Sequence, residues 1–286
     1  MDRHFLIAVS ESKSALFGVR FVGNFFSNKK NIKSTLFYSL AKPPAVWGKE
    51  KNFEADRRQK EQEKKAASIG ETALSDARKE CAGLGFSPDN IFSKLKKREF
   101  STVGEIIQEG EKGNYDAVVV GRRGLSMLQE AFEQSFSTDL FNHSFTFPVW
   151  LCRSSHSDRK NVLLYLDGSE TSFRMADHVG FVVGLEKQHR VDILISEETT
   201  DANTILKKSR KILLGHGVPE ELIRHLLSSS GDGAKKILDA VDKEQYAAVA
   251  LGRSGKEKNI FMRLFKGPVC STLFKELQNA ALWICY

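Results

Sequence analysis

Residues Tyr115–Ser137 read YDAVVVGRRGLSMLQEAFEQSFS, and the order of residue types within them decides the fold. Ala117–Val120 is a short apolar run of β-branched character that stops at Gly121, the pattern of a strand buried on both faces. Gly121-Arg122-Arg123-Gly124 turns the chain. Leu128, Ala131, Phe132, Phe136 and Leu140 then recur at helical spacing, which predicts a helix over Leu128–Leu140. Glycine after a strand lets the backbone approach a ligand closely, and free N–H groups at a helix start favour an anion. Phosphate is the natural guest there: Gly121 and Gly124 offer amides, Arg122 and Arg123 charge, and Ser135 and Ser137 hydroxyls. A single unit of this kind equally describes a tight turn that packs a helix on a sheet.

Repetition adds information that one copy lacks. Tyr246–Gly255, YAAVALGRSG, restates Tyr115–Gly124 with the same aromatic start, apolar strand and Gly-Arg-x-Gly turn. Each copy runs on to a closing strand, Pro148–Cys152 in the first and Ala281–Cys285 in the second. The chain therefore reads as two copies of one domain, residues 1–153 and 160–286, joined by a short polar linker. A length of 286 residues agrees with two domains that each bury a core.

In the first copy, strands are expected at Phe5–Val9, Ile32–Leu40, Ile91–Lys96 and Ala117–Val120. Helices are expected over Ala15–Phe26, Arg58–Leu84 and Thr102–Glu111, with Ala45–Arg57 irregular. Ala66, Ile69, Ala73, Ala77, Cys81 and Leu84 form one apolar stripe of the long helix. In the second copy, strands at Val162–Leu166, Val191–Ser196 and Leu222–Ser228 alternate with helices at Phe173–Leu185, Ala202–Leu214 and Ala234–Val241. Alternation of this kind defines an α/β fold: two copies of a five-stranded parallel-sheet sandwich, Rossmann-like, with helices on both faces. Ligands in such sheets sit beyond the carboxyl ends of the strands at the switch point, which here places Val9–Ser12 and Gly121–Gly124 around one crevice.

Composition excludes several classes. With 41% hydrophobic and 28% charged residues, the chain is an ordinary globular one. No apolar run reaches the ~18 residues of a membrane span, and the first residues lack a signal peptide's apolar length, so a cytoplasmic protein is expected. Cys81, Cys152, Cys270 and Cys285 are scattered without zinc spacing and read as reduced and structural; neither they nor the seven histidines imply a metal. The net charge of +7 concentrates in Lys29-Lys30, Arg57–Lys65 and Lys94–Arg98. These runs are interleaved with acidic residues and lack neighbouring aromatics, which argues for solvated helix faces over a nucleic-acid surface.

Over nearly its whole length the sequence resembles a tandem member of the universal stress protein family, itself similar to the adenine-nucleotide α-hydrolases. The resemblance rests on Leu164-Tyr165-Leu166-Asp167-Gly168-Ser169, on Gly121-Arg122-Arg123-Gly124-Leu125-Ser126, on Ser135-Phe136-Ser137-Thr138-Asp139-Leu140 and on Phe147–Leu151. Nucleotide-binding members carry Gly-x2-Gly-x9-Gly-Ser/Thr around the ATP phosphates and an aspartate ending the first strand. By resemblance, Gly121, Arg122, Gly124, Ser135 and Ser137 would hold phosphates in the first copy, and Asp167, Gly252, Gly255 and Gly267 would line the second crevice. Neither copy keeps the full set. Gln134 replaces the third glycine of the first, and Pro268 follows Gly267 in the second after a longer spacing. The resemblance implies a non-catalytic protein of the cytoplasmic stress response, acting through contacts with a protein partner and degenerate ATP binding. It also implies an internal pseudo-dimer through the last strands, with Trp150 and Trp283 in the seam, and leaves a homodimer of chains open. Alternatives are an adenine-nucleotide α-hydrolase-type enzyme and a nucleic-acid-associated regulator.

Overall fold

A computed structural model describes residues 2–41, 53–99, 101–122, 147–184, 186–196, 199, 201–226, 233–252 and 268–285. In the first half, strands β1 (Arg3–Ala8), β2 (Ile32–Leu40), β3 (Ile91–Lys97), β4 (Ala117–Gly121) and β5 (Val149–Cys152) are interleaved with helices α1 (Phe17–Phe25), α2 (Phe53–Gly83) and α3 (Thr102–Lys112). In the second, β6 (Val162–Leu166), β7 (Val191–Ile195), β8 (Ile223–Leu226), β9 (Ala248–Gly252) and β10 (Ala281–Cys285) alternate with α4 (Glu170–Val183), α5 (Ala202–Gly215), α6 (Gly233–Glu244) and α7 (Pro268–Glu276). The expected helix Leu128–Leu140 lies outside the described residues.

The ten strands form one sheet in the order β3-β2-β1-β4-β5-β10-β9-β6-β7-β8. Within each half every pairing is parallel, and the halves join where β5 runs antiparallel to β10. That one reversal sets the geometry of the molecule: the carboxyl ends of the first half's strands lie on one edge of the sheet and those of the second half on the opposite edge. In each half the strand after the linker or N-terminus pairs with the strand carrying the glycine motif, β1 with β4 and β6 with β9.

Element boundaries depart from the sequence expectation in ways that local chemistry explains. The first helix opens as a 3-10 turn, Lys13–Leu16, capped by Ser12. The long helix already includes Phe53–Arg57, the end of the Ala45–Arg57 segment expected to be irregular, where Glu54 pairs with Arg58 and Arg57 with Glu61 at i,i+4 spacing; residues 45–52 lie outside the described residues. Of its apolar stripe, Ala73, Ala77 and Cys81 are buried, but Ile69 is 43% exposed. The expected strand Leu222–Ser228 begins one residue later, at Ile223, because Leu222 ends a 3-10 turn; its last two residues lie outside the described residues. The basic run in β3 is spent on carboxylates: Lys94 on Glu109, Lys96 on Glu105 and Lys97 on Glu63. All four cysteines are buried, and burial pushes the Cys81 thiol up to about 12.

The aromatic residue that opens each repeat stands at the amino edge of its half. Tyr246, fully buried, donates to Asp192, whose carboxylate also takes Arg190 and Arg224. Tyr115 donates instead to Glu109 at 2.9 Å. Both tyrosines close a buried polar group at the foot of the sheet, away from the crevice side.

At the seam, Trp150 and Trp283 face each other in register and stack at 4.2 Å between centroids and 9° between planes. Phe21 on α1 and His178 on α4 each stand nine residues beyond the capping serine of their half, and each flanks the tryptophan pair edge-on. Only His178 is an acceptor: its Nε2 takes the Trp150 indole N–H at 3.0 Å. Phe21 offers nothing of the kind, and Trp283 Nε1 is buried without a partner. Around the seam the linker grips the other half. Arg153 donates to the Phe274 and Lys275 carbonyls at the end of α7, and Ser154 and Arg159 donate to the Gln278 and Asn279 carbonyls.

Burial lowers His178 to about 3 and His189 to about 4. The His189 Nδ1–H donates to the Lys160 carbonyl at 2.6 Å, so both rings are held neutral in defined tautomers. As the pH falls from ~6.5 toward those values, the unfolded chain takes up protons that the fold refuses, and stability is lost through that window. We expect His178→Phe to cost about 1–3 kcal/mol at neutral pH by orphaning the Trp150 N–H. It should also flatten the stability loss between pH 6.5 and 4. Denaturant unfolding across that range checks both, and an unchanged slope would contradict the assignment.

Candidate functional site

Each crevice is built where the first strand of a half ends beside the strand carrying the glycine motif. In the second half, Asp167 Oδ1 accepts from the Ser169 N–H at 2.9 Å and from its hydroxyl at 2.5 Å. Gly168 between them takes φ +81°, a conformation in which glycine is unstrained. Ser169 then caps α4, accepting from the Ser172 N–H at 3.2 Å. The first half builds the same turn from serines: Ser10 Oγ accepts from the Ser12 N–H at 3.3 Å, and Ser12 Oγ from the Ser14 N–H at 3.3 Å. Ser10 therefore stands where Asp167 stands, and the turn forms without the carboxylate. Asp167 itself is exposed and bound to its own loop.

The first glycine of each motif serves packing. A Cβ on Gly121 would meet the Ala15 carbonyl oxygen at 2.5 Å, and one on Gly252 would meet the Thr171 carbonyl at 2.1 Å. Each glycine is thus the point where the helix after the first strand crosses the sheet, and no side chain fits there. The first glycine of each turn is required by the scaffold whether or not a ligand sits beyond it.

Of the other residues singled out from sequence, Arg122 follows Gly121 at the end of β4, next to Arg153 at the end of β5. Burial lowers the Arg153 guanidinium, and the neighbouring Arg122 charge adds to this. Arg153 is committed to α7 and lies 5.7 Å from the Phe274 ring. Gly124, Ser135, Ser137, Gly255 and Gly267 fall outside the described residues. Pro268 is the first residue of α7, a position where a missing N–H costs the helix nothing. Gly121 with Arg122 and Asp167 with Gly252 belong to separate crevices on opposite edges of the sheet. No group of three His, Cys, Asp or Glu able to hold a metal occurs among the described residues. No helix among them is long and apolar enough to cross a membrane.

Sequence reasoning missed the clamp made by Arg153 and the acceptor role of His178. The first had a signal in an arginine placed directly after a buried strand; the second had none, because its meaning appears only when the two halves are superposed.

A strand order of 3-2-1-4-5 in each half, with the glycine motif beside strand one, is the architecture of an open parallel α/β domain of the doubly wound type. The description of the universal stress protein family matches residues 1–153, more than half of the chain, and the chain belongs to that family. A universal stress protein from Archaeoglobus fulgidus DSM 4304 superposes with a TM-score of 0.66 at 16% identity, over 99% of this chain and 97% of that one, a likeness of fold. A universal stress protein in complex with cAMP aligns over 44% of this chain and 95% of that one, at 18% identity and a TM-score of 0.37. A universal stress protein family protein from Arabidopsis thaliana with AMP bound aligns over 55% and 94%, at 18% identity and a TM-score of 0.33. No curated protein matches the sequence.

Because the glycines act in packing, Gly252→Ala should destabilise the second half by about 1–3 kcal/mol or more, as overpacking does. Gly121→Ala should do the same in the first. Thermal unfolding with and without nucleotide checks this: a loss that appears only in the presence of nucleotide would assign the glycines to the ligand instead.

Proposed function

We propose that the chain is a tandem, non-catalytic universal stress protein of the cytoplasm, with domains at 1–153 and 160–286, that acts through protein contacts and binds an adenine nucleotide in its first crevice. The observation that carries this reading is that one junction, a serine-capped turn packed on a motif glycine, is built twice, while only the first copy keeps the phosphate-turn spacing, Gly121-x2-Gly124-x9 followed by Gln134-Ser135 with glutamine in the place of the third glycine. In it Gly124 would supply amides, Ser135 and Ser137 hydroxyls, and Arg122 charge to ATP phosphates. The second crevice, with Asp167, Gly252, Gly255 and Gly267, would serve as the decayed copy. The non-catalytic part of the reading fits the burial of the four thiols and of His178 and His189, which are held neutral inside the fold.

Pairing of β5 with β10 within one chain uses up the last-strand edges of both halves. The reading is therefore of a protein whose pseudo-dimer is internal and whose partner binds elsewhere.

Native mass spectrometry with equilibrium dialysis against ATP tests it. Ser135→Ala should weaken binding about tenfold, the loss of one hydrogen bond to a charged group. Gln134→Gly, which restores close backbone approach, should strengthen it. Gly121→Ala is unsuitable as a probe, since it disturbs packing. Apo spectra with added ATP would remove the nucleotide from the proposal, and ATP turnover would remove its non-catalytic part.

A further inference from the structure

A cleft of about 200 Å³ opens between α2 and the turn after β1, lined by Glu11, Ser68, Ile69, Thr72, Ala73 and Asp76. The second half serves as its internal control. Gly85 and Gly217, both at positive φ, end the α2 and α5 segments. Counting back from them sets Ala73 against Ile205, Thr72 against Thr204 and Asp76 against Lys208. Likewise Glu11 and Gly168 each precede the capping serine of their half. In the second half this space is filled: Ile205 packs so close to Gly168 that a Cβ there would meet its Cδ1 at 2.7 Å, and Lys208 Nζ lies 3.7 Å from the Phe173 ring centroid. In the first half alanine replaces the plug, and two carboxylates replace the glycine and the lysine.

The lining identifies a guest by its chemistry. Glu11 is oriented by the Tyr38 hydroxyl, which donates to its Oε2 at 3.1 Å. Tyr38 in turn packs against α2 at Gly70, where a Cβ would meet its ring at 3.0 Å. Burial and the adjacent Glu11 charge push the Tyr38 hydroxyl up to about 12, so it remains a donor. Asp76 pairs with Lys79 at 3.2 Å, an exposed pair worth little and open to exchange. Thr72 spends its proton on the Ser68 carbonyl and keeps lone pairs to accept with. Ile69, 43% exposed on a helix whose other exposed side chains are mostly charged or polar, supplies an apolar wall. The volume lies below the ~300–1,000 Å³ of drug-sized pockets, which calls for a small guest.

We propose that this cleft binds a small organic cation, an alkylammonium of the linear polyamine class, whose ammonium groups meet Glu11 and Asp76 and whose methylenes lie on Ile69. Phosphate would meet two carboxylates and no basic residue of the lining. The cleft shares the Val9–Ser12 turn with the first crevice through Glu11, but none of its lining residues belongs to the glycine motif, so separate variants test the two readings.

Isothermal titration of spermidine into the full-length protein at low ionic strength tests it, with the Ile69 methyl followed by NMR. One saturable site and a shifted Ile69 methyl are expected. Glu11→Gln and Asp76→Lys should each weaken binding about tenfold or more. Ala73→Ile should abolish it, as the plug of the second half would. Asp76 is on the outer surface of α2, so an unchanged melting temperature for Asp76→Lys separates lost binding from lost folding. Ser135→Ala should leave spermidine binding intact even if it removes ATP. Non-saturable uptake, or one site insensitive to Glu11→Gln and Asp76→Lys, overturns the proposal.

Discussion

The antiparallel pairing of β5 with β10 is the constraint on which the rest of the molecule depends. Each half alone would leave its last strand as an open edge, and an open edge invites pairing with another chain. Joining the two edges inside one polypeptide removes that liability at the centre of the sheet and leaves β3 and β8 as the outer strands. Because the join is antiparallel, it also reverses the second half. The two crevices therefore open on opposite edges, and no single ligand bridges them.

Duplication brings a near-symmetric seam, but one axis cannot satisfy two tryptophans equally once the halves differ in sequence. His178 and Phe21 occupy matching places beside the stacked pair, and only the imidazole accepts a hydrogen bond. The stack contributes about 0.5–1.5 kcal/mol beyond area burial, and the orphaned Trp283 N–H works against it by a similar amount. The seam is then held as much by its margins. Arg153 caps the last helix of the opposite half, and the Ser154 and Arg159 donors follow the same path. A short linker becomes part of the interface when polar side chains along it, here Ser154 and Arg159, find carbonyls on the far side.

Fold was largely legible because two signals agreed. Apolar runs bounded by glycine placed the strands, and the restated motif at Tyr246–Gly255 divided the chain. Boundaries failed where a single residue type was ambiguous: the charge-rich opening of α2, Phe53–Arg57, reads as loop until its i,i+4 pairs are counted, and Ile69 reads as core until the cleft beside it is seen. Site residues were less legible for a deeper reason. Gly121 and Gly252 were singled out as close-approach glycines, and they are, but what approaches is the backbone of the next helix. Sequence shows that a side chain is forbidden without showing what forbids it.

That distinction bears on how degenerate motifs are read in duplicated proteins. A glycine that packs a helix on a sheet is retained by stability alone, so its survival in both halves carries no information about phosphate. Groups that the scaffold does not need carry more. Ser10 stands in the first half where Asp167 stands in the second without loss of the turn, because a hydroxyl serves there as acceptor for the equivalent N–H. Ala73 and Glu11 stand where Ile205 and Gly168 stand in the second half, and space opens there with less buried contact. Where two halves share one architecture, positions at which one half gives up buried contact and gains charge are where function has diverged from fold.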